Sequence, residues 1–360
     1  MPAVLLSAGN ISFLTCFNYF QKLVTSTFHS SQPITLESGY TLPAYHLGYT
    51  TYGNLNAQKD NVVWIFHALT ANSQPDEWWP GLVGQGKLFN PEKYFIVCVN
   101  MPGSCYGSLC PLDKNPETGE TFYHDFPFFT PRDMIRSYQP LRKYLGIEKI
   151  KIGIGGSMGG QQLLEWAIEE PDLFENIFPI ATNAFHSAWA KAFNASQRLS
   201  IEGDCTWQNK NPLAGIEGMK AARSIALLSY RHYDTYEAGQ SESDHNKTDN
   251  FKSESYQKYQ GEKLARRYNA FSYYFLSKSM DAQNVGRGRL SIEEALQKIK
   301  ARALVIGINS DILFPVVEQK FIASQISGAC FESIDSLYGH DGFLLEFETI
   351  ESLIKNFLPQ

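Results

Sequence analysis

The chain reads as an α/β protein, with a mostly parallel central sheet covered by helices and a helical block inserted into it. Three observations predict this. Short continuous apolar runs such as Val62-Val63-Trp64-Ile65-Phe66 mark strands buried on both faces. Segments with helical spacing alternate with those runs, the pattern of a parallel sheet with both faces covered. From about Asn183 to Gly288 the apolar runs stop and only helical pieces remain.

Taken in order, Ile34–Gly39 and Ala44–Tyr52 predict two strands around the Gly39/Pro43 turn, an opening antiparallel hairpin. Val62–Phe66 and Tyr94–Val99 predict buried strands, the first ending at His67-Ala68-Leu69-Thr70. Thr130-Pro131, an N-cap followed by a first-turn proline, predicts a helix over Arg132–Leu145. It leads to the strand before Ser157, and Ile177–Ala181 follows as another. Helices are expected over Ala188–Leu199, Gly218–Tyr233 and Tyr256–Met280, with the polar Thr235–Lys252 stretch as a loop. The sheet resumes at Ala303–Ile308, followed by a helix over Val316–Gln325, a strand near Cys330–Ile334 and an amphipathic helix over Phe343–Phe357. The expected organisation is a core of residues 34–182 and 289–360, a helical lid of residues 183–288, and an N-terminal extension, residues 1–33, of unknown role.

Composition narrows the function. At 360 residues, 43% hydrophobic and 19% charged, the chain is globular and long enough for one large core with an insertion. A net charge of −6 leaves no basic footprint for nucleic acid. Six cysteines without a C-x-x-C pair fit a reduced, cytoplasmic protein rather than a disulfide scaffold. No apolar run reaches the roughly 18–20 residues needed to span a bilayer. The apolar first 25 residues lack the basic start of a secretory signal. Metal and nucleotide motifs are missing: no H-E-x-x-H, EF-hand, P-loop or G-x-G-x-x-G in context. No metal is expected.

The chemistry centres on Gly155-Gly156-Ser157-Met158-Gly159, placed between a β-branched run and a helix-forming run. This is the strand, sharp turn and helix of a nucleophile elbow, with the Met158 N–H aimed at a developing oxyanion. A serine nucleophile needs a base and a carboxylate behind it. Asp311 follows the Ala303–Ile308 strand and His340 follows the next one, so both fall at carboxyl ends of strands, where open α/β sheets build their sites. The order Ser157, Asp311, His340 is that of α/β-hydrolase enzymes. The loop after Val62–Phe66 occupies the place of the second oxyanion donor, which nominates the Leu69 N–H. His29, His46, His124, His186, His232 and His245 are read as surface or packing residues.

Several ordered blocks resemble the homoserine O-acetyltransferase family: His67-Ala68-Leu69-Thr70, Asp76-Glu77-Trp78-Trp79, Tyr106-Gly107-Ser108, Thr130-Pro131-Arg132-Asp133-Met134, the elbow, Ser310–Pro315 and His340-Asp341-Gly342-Phe343-Leu344. The resemblance runs from about Ile34 to the C-terminus. It implies transfer of an acetyl group from acetyl-CoA, through an acyl-serine in a ping-pong cycle, to the hydroxyl of L-homoserine on the route to methionine. It implies no permanently bound cofactor and a homodimer formed through the lid. In this family an arginine and a tyrosine seven residues apart hold the acceptor, and Arg223 and Tyr230 match them. Asp341 would take the ammonium group.

The sequence departs from the family at Met101-Pro102-Gly103-Ser104 and Cys110-Pro111, where relatives carry further glycines. The other candidates are a succinyl-CoA-using or serine-accepting acyltransferase, an esterase with the same triad, and a non-catalytic binding module. An amino-acid clamp separates the acyltransferases from an esterase, and the intact triad argues against the binding module.

Overall fold

The computed structural model describes residues 24–358. The chain enters with β1 (Val24–Ser30), forms a two-residue ribbon from β2 (Ile34–Thr35) and β3 (Thr41–Leu42), and continues into β4 (Tyr45–Tyr52). β1 and β4 run antiparallel, with Val24 opposite Thr51 and Ser30 opposite Tyr45. Two expectations change here. The hairpin partner of β4 is β1, and the Ile34–Thr41 segment only turns the chain, since Gly39 sits at φ +84 and Pro43 ends the ribbon. The extension expected over residues 1–33 therefore gives β1 to the sheet, where a β-branched, polar edge strand protects β4. Its first 23 residues lie outside the described residues.

The remaining strands are β5 (Val62–Phe66), β6 (Phe95–Val99), β7 (Ile150–Gly156), β8 (Phe174–Ile180), β9 (Arg302–Ile308) and β10 (Cys330–Ile334). Their order in the eight-stranded sheet is β1-β4-β6-β5-β7-β8-β9-β10, parallel from β6 to β10. Every residue of β5 and β6 is buried. Alternate side chains serve opposite faces: Trp64 and Phe66 join one apolar cluster, Val63 and Ile65 the other. That requires helices on both faces.

The helices are α1 (Pro75–Trp78), α2 (Pro131–Tyr144), α3 (Met158–Glu169), α4 (Ala188–Glu202), α5 (Ile216–Tyr230), α6 (Tyr233–Gln240), α7 (Lys252–Ala265), α8 (Ala270–Asp281), α9 (Ile292–Gln297), α10 (Val316–Gln325), α11 (Gly342–Leu345) and α12 (Phe347–Phe357). α2 starts on a capping box: the Thr130 hydroxyl accepts the Asp133 N–H and the Asp133 carboxylate accepts the Thr130 N–H. α3 and the Ile350 and Ile354 face of α12 cover opposite sides of the sheet.

The inserted block holds α4 to α8. The chain leaves and re-enters the core through a narrow neck in which the His186 N–H donates to Gln283 and the Val285 N–H to Ala184, at 2.9 Å each. At its return, Arg287 and Arg289 join Arg132 on a carboxylate cluster of Glu37, Glu165 and Glu169. Within the block two expectations are corrected. The stretch expected as a loop over Thr235–Lys252 begins as α6, capped by the His232 side chain accepting the Asp234 N–H. The helix expected over Tyr256–Met280 is broken into α7 and α8, because Asn269 caps a new start by accepting the Ser272 N–H at 2.8 Å. The closing helix likewise divides at Glu346 into α11 and α12. Among the described residues no helix is long and apolar enough to cross a membrane.

Candidate active site

β7 delivers the chain to Ser157, which has φ +56 and ψ −126, and α3 starts at the next residue. A non-glycine residue at positive φ costs backbone strain, and here the strain turns the hydroxyl out above the sheet edge. The turn closes only because its neighbours lack side chains. A Cβ on Gly159 would stand 2.2 Å from the Phe66 carbonyl oxygen of β5. Gly159→Ala is therefore expected to lower stability by about 1–3 kcal/mol, since the obstacle is backbone. An unchanged denaturant midpoint would count against so tight an approach.

Behind the elbow, the Ser157 carbonyl accepts the Thr182 hydroxyl at 2.7 Å and the Gly160 N–H at 3.0 Å. The Ser157 hydroxyl makes no hydrogen bond among the described residues, although the residue is only 5% exposed.

Asp311 and His340 come together at the carboxyl ends of β9 and β10. One Asp311 oxygen accepts the N–H groups of Leu313 and Phe314, at 2.8 and 2.9 Å; the other accepts from His340 Nδ1 at 2.6 Å. With its proton committed at Nδ1, His340 keeps Nε2 as its basic nitrogen. Both side chains are buried. Burial pushes the imidazole pKa down, but the Asp311 charge and hydrogen bond, with Asp341, overcome it and hold His340 above its ordinary value. Phe314 stacks on the imidazole at 5.1 Å, and Phe343 meets it edge-on at 5.3 Å. Phe343 also occupies the space a Gly156 side chain would need, so the histidine loop packs directly against the elbow.

The two nominated oxyanion donors leave adjacent strands. Phe66 pairs with Gly155 in the sheet, so Leu69 and Met158 each follow their register partner by three residues. Neither N–H has a partner among the described residues. His67, read from the sequence only as part of this loop, is a brace. Its Nδ1–H donates to Ala68 at 2.9 Å and its Nε2 accepts the Met101 N–H at 3.1 Å. Burial lowers its pKa to about 4 against the opposing Ala68 bond, so it stays neutral.

Arg223 and Tyr230 lie on α5, with the guanidinium 5.4 Å from the tyrosine ring centre. The Tyr230 ring is in turn 5.7 Å from that of His340. Burial raises the Tyr230 pKa, with Arg223 opposing and Asp341 reinforcing the shift. Arg223 thus packs on Tyr230, and Tyr230 and Asp341 stand beside His340. Asp341 is not free, however. Its Oδ2 lies 3.0 Å from Arg231 Nε, an ion pair by distance that is not aligned as a hydrogen bond. Arg231 was not legible beforehand; its signal was a cation directly after the last turn of α5.

A second residue missed is Glu318 at the start of α10, whose pKa is raised to about 7 by burial and by Asp311, against hydrogen bonds from Asn183 and Ser187. Size alone does not locate this site. A cavity of about 760 Å³ lies in the inserted helical block between the end of α4 and the start of α5, and none of Ser157, Asp311 and His340 lines it.

A family model described as the alpha/beta hydrolase fold matches residues 61–347. The homoserine O-acetyltransferase of Cyclobacterium marinum is 47% identical over 336 residues, covering 93% of this chain and 95% of its own. That of Chlorobaculum parvum is 40% identical, with the same coverage of both chains. Among solved structures, the homoserine O-acetyltransferase from Bacillus anthracis superposes with a TM-score of 0.84 at 24% identity, covering 94% of this chain and 98% of that one. Esterase E22 superposes as well, with a TM-score of 0.85 at 21% identity, covering 94% of this chain and all of that one. At these identities the structures speak for the fold alone.

Proposed function

The chain belongs to the homoserine O-acetyltransferase family, on the α/β-hydrolase fold, and from that premise we propose that it moves an acetyl group from acetyl-CoA to the side-chain hydroxyl of L-homoserine. Ser157 Oγ attacks the thioester carbonyl while His340 Nε2 takes its proton. The N–H groups of Leu69 and Met158 hold the oxyanion. The C–S bond then breaks, and the thiolate leaves as CoA-SH with the proton carried by His340. Homoserine enters, gives its hydroxyl proton to His340 and attacks the acyl-serine. O-acetylhomoserine departs and Ser157 regains the proton. The cycle is ping-pong, acetyl-CoA acts as substrate rather than resident cofactor, and the product serves the route to methionine.

What carries this reading over hydrolysis is the wall formed by Arg223, Tyr230 and Asp341 beside His340. A guanidinium suits an amino-acid carboxylate through paired hydrogen bonds. Asp341, already neutralised in part by Arg231, offers its carboxylate to the ammonium group. Transfer instead of hydrolysis needs an acceptor hydroxyl held in place with water excluded. The superposition of esterase E22 reflects the shared fold and does not choose between transfer and hydrolysis. Pairing of two copies through the lid is supported by Leu199, Leu213 and Leu228, which are exposed there.

The test is thiol release from acetyl-CoA with and without L-homoserine. Release that depends on homoserine supports the proposal, and equal release in water alone would establish a hydrolase. Parallel rates with succinyl-CoA and with serine decide the donor and the acceptor. Arg223→Ala is expected to raise the KM for homoserine by about 10- to 100-fold, the worth of a charge-assisted contact, and to leave acylation of Ser157 unchanged. An unaltered KM would remove Arg223 from the clamp.

A further inference from the structure

The loop after β5 is held from two sides. Three consecutive peptide planes follow Ala68. The first, between Ala68 and Leu69, carries the Leu69 N–H, and its carbonyl is pinned from within the core by His67 Nδ1–H and the Ala71 N–H. The next two are pinned from the lid. Tyr268 Oη–H donates to the Leu69 carbonyl at 3.1 Å, and Arg267 Nη1–H donates to the Thr70 carbonyl at 2.7 Å. The same Arg267 nitrogen also donates to Tyr106 Oη. Arg267 and Tyr268 occupy the break between α7 and α8, the irregularity that Asn269 creates by capping α8.

We propose that Arg267 and Tyr268 are positioning residues through which the lid aims the Leu69 N–H at the oxyanion. The proposal rests on the acyl-serine reading of Ser157. A loop peptide with a free N–H keeps its direction only if the dihedrals on both sides of it are fixed. The core fixes the plane before Leu69; nothing in the core fixes the plane after it among the described residues. Leu69 is 4% exposed, so its carbonyl, if it lost the Tyr268 hydroxyl, would be a buried acceptor without a partner, and the loop would turn to satisfy it. Tyr268 is well suited to the task. It is buried, its phenol pKa is held well above the ordinary range chiefly by burial, and its ring packs edge-on against Tyr106 at 5.7 Å and Tyr273 at 6.4 Å. It therefore always carries a proton to donate, from a fixed ring. The Tyr273 hydroxyl donates to Gln197 at 2.7 Å, and Tyr273 also stands next to Tyr230, so the oxyanion loop and the acceptor wall meet at one aromatic residue.

The experiment uses p-nitrophenyl acetate as the acyl donor. The rate constant of its p-nitrophenolate burst reports acylation of Ser157 without CoA or homoserine. Tyr268→Phe, which keeps the ring, is expected to slow the burst about 10-fold, below the 10²- to 10³-fold cost of deleting an oxyanion donor outright. The amplitude should remain one per site, the KM for homoserine within about twofold, and the acidic limb of the pH profile in place. Arg267→Gln, an exposed substitution with little bearing on folding, is expected to slow the burst in the same sense by a smaller factor. A merely structural role would lower the amplitude and leave the rate constant of the surviving sites alone, and that result would overturn the proposal. So would burst rate constants within about twofold of the parent in both variants. A parent that shows the burst but no homoserine-dependent thiol release would sink the acceptor assignment and leave this inference standing. A parent with no burst would overturn both this inference and the acyl-serine reading.

Discussion

Replacing Ser157 by alanine is expected to lower homoserine-dependent thiol release by about 10⁴-fold or more, as for a nucleophile acting as one unit with its base and its carboxylate. The substitution is a clean one on structural grounds. Alanine meets the same strain at φ +56 that serine does, so the elbow neither gains nor loses backbone energy. The hydroxyl that is removed holds no other described residue, and the bonds that fix the turn, from Thr182 and Gly160, end on the Ser157 carbonyl, which stays. The loss therefore reports chemistry and not folding. Acyl-enzyme should vanish from the mass of the protein after incubation with acetyl-CoA, and the unfolding midpoint should hold. Turnover within tenfold of the parent would mean that the reacting centre lies elsewhere.

Much of this site was legible because its signals are local. Buried parallel strands announce themselves as continuous apolar runs, and Val62–Phe66 needs no partner to be recognised. The elbow is nearly as local: Gly155 is demanded by the Gly159 backbone a few residues on and Gly159 by Phe66 on the neighbouring strand, while Gly156 answers to the distant Phe343. Asp311 and His340 were found by their order and by their place after strands, although their 2.6 Å contact joins residues 29 apart.

What escaped depends on distant partners. β1 is a polar edge strand whose identity rests on pairing with β4, and Val24–Ser30 has no continuous apolar run to mark it. The break between α7 and α8 lies in a stretch of good helix formers, and its one signal is Asn269 three residues before Ser272, a capping pattern masked by a long helical period. Arg231 looks like an ordinary helix-end cation until the fold brings Asp341 to it. Glu318 looks like a first-turn acid of α10 until burial and the nearby Asp311 raise its pKa against the hydrogen bond from Asn183.

Asp311→Asn tests the other half of the triad, and its effect is expected to be as large, about 10⁴-fold in kcat, through a different cause. In the parent, Asp311 accepts from Leu313, Phe314 and His340 at once, so it acts only as an acceptor. An asparagine there keeps its carbonyl on the two backbone N–H groups and turns its NH2 toward His340 Nδ1. The imidazole must then accept at Nδ1 and carry its proton at Nε2, the nitrogen that has to receive the Ser157 proton. Geometry survives and the tautomer is wrong.

The pH profile separates this from simple damage. His340 works as a base in its neutral form, and its pKa is raised, so kcat/KM of the parent should fall as pH drops through a value above the ordinary histidine range. Burial opposes that rise, and Asp311 supplies most of what overcomes it, with Asp341 contributing the rest. Without the Asp311 charge, burial prevails and the acidic limb should move to lower pH while the plateau falls. A plateau lowered less than about tenfold, or a limb that stays in place, would show that Asp311 does not set the proton on His340.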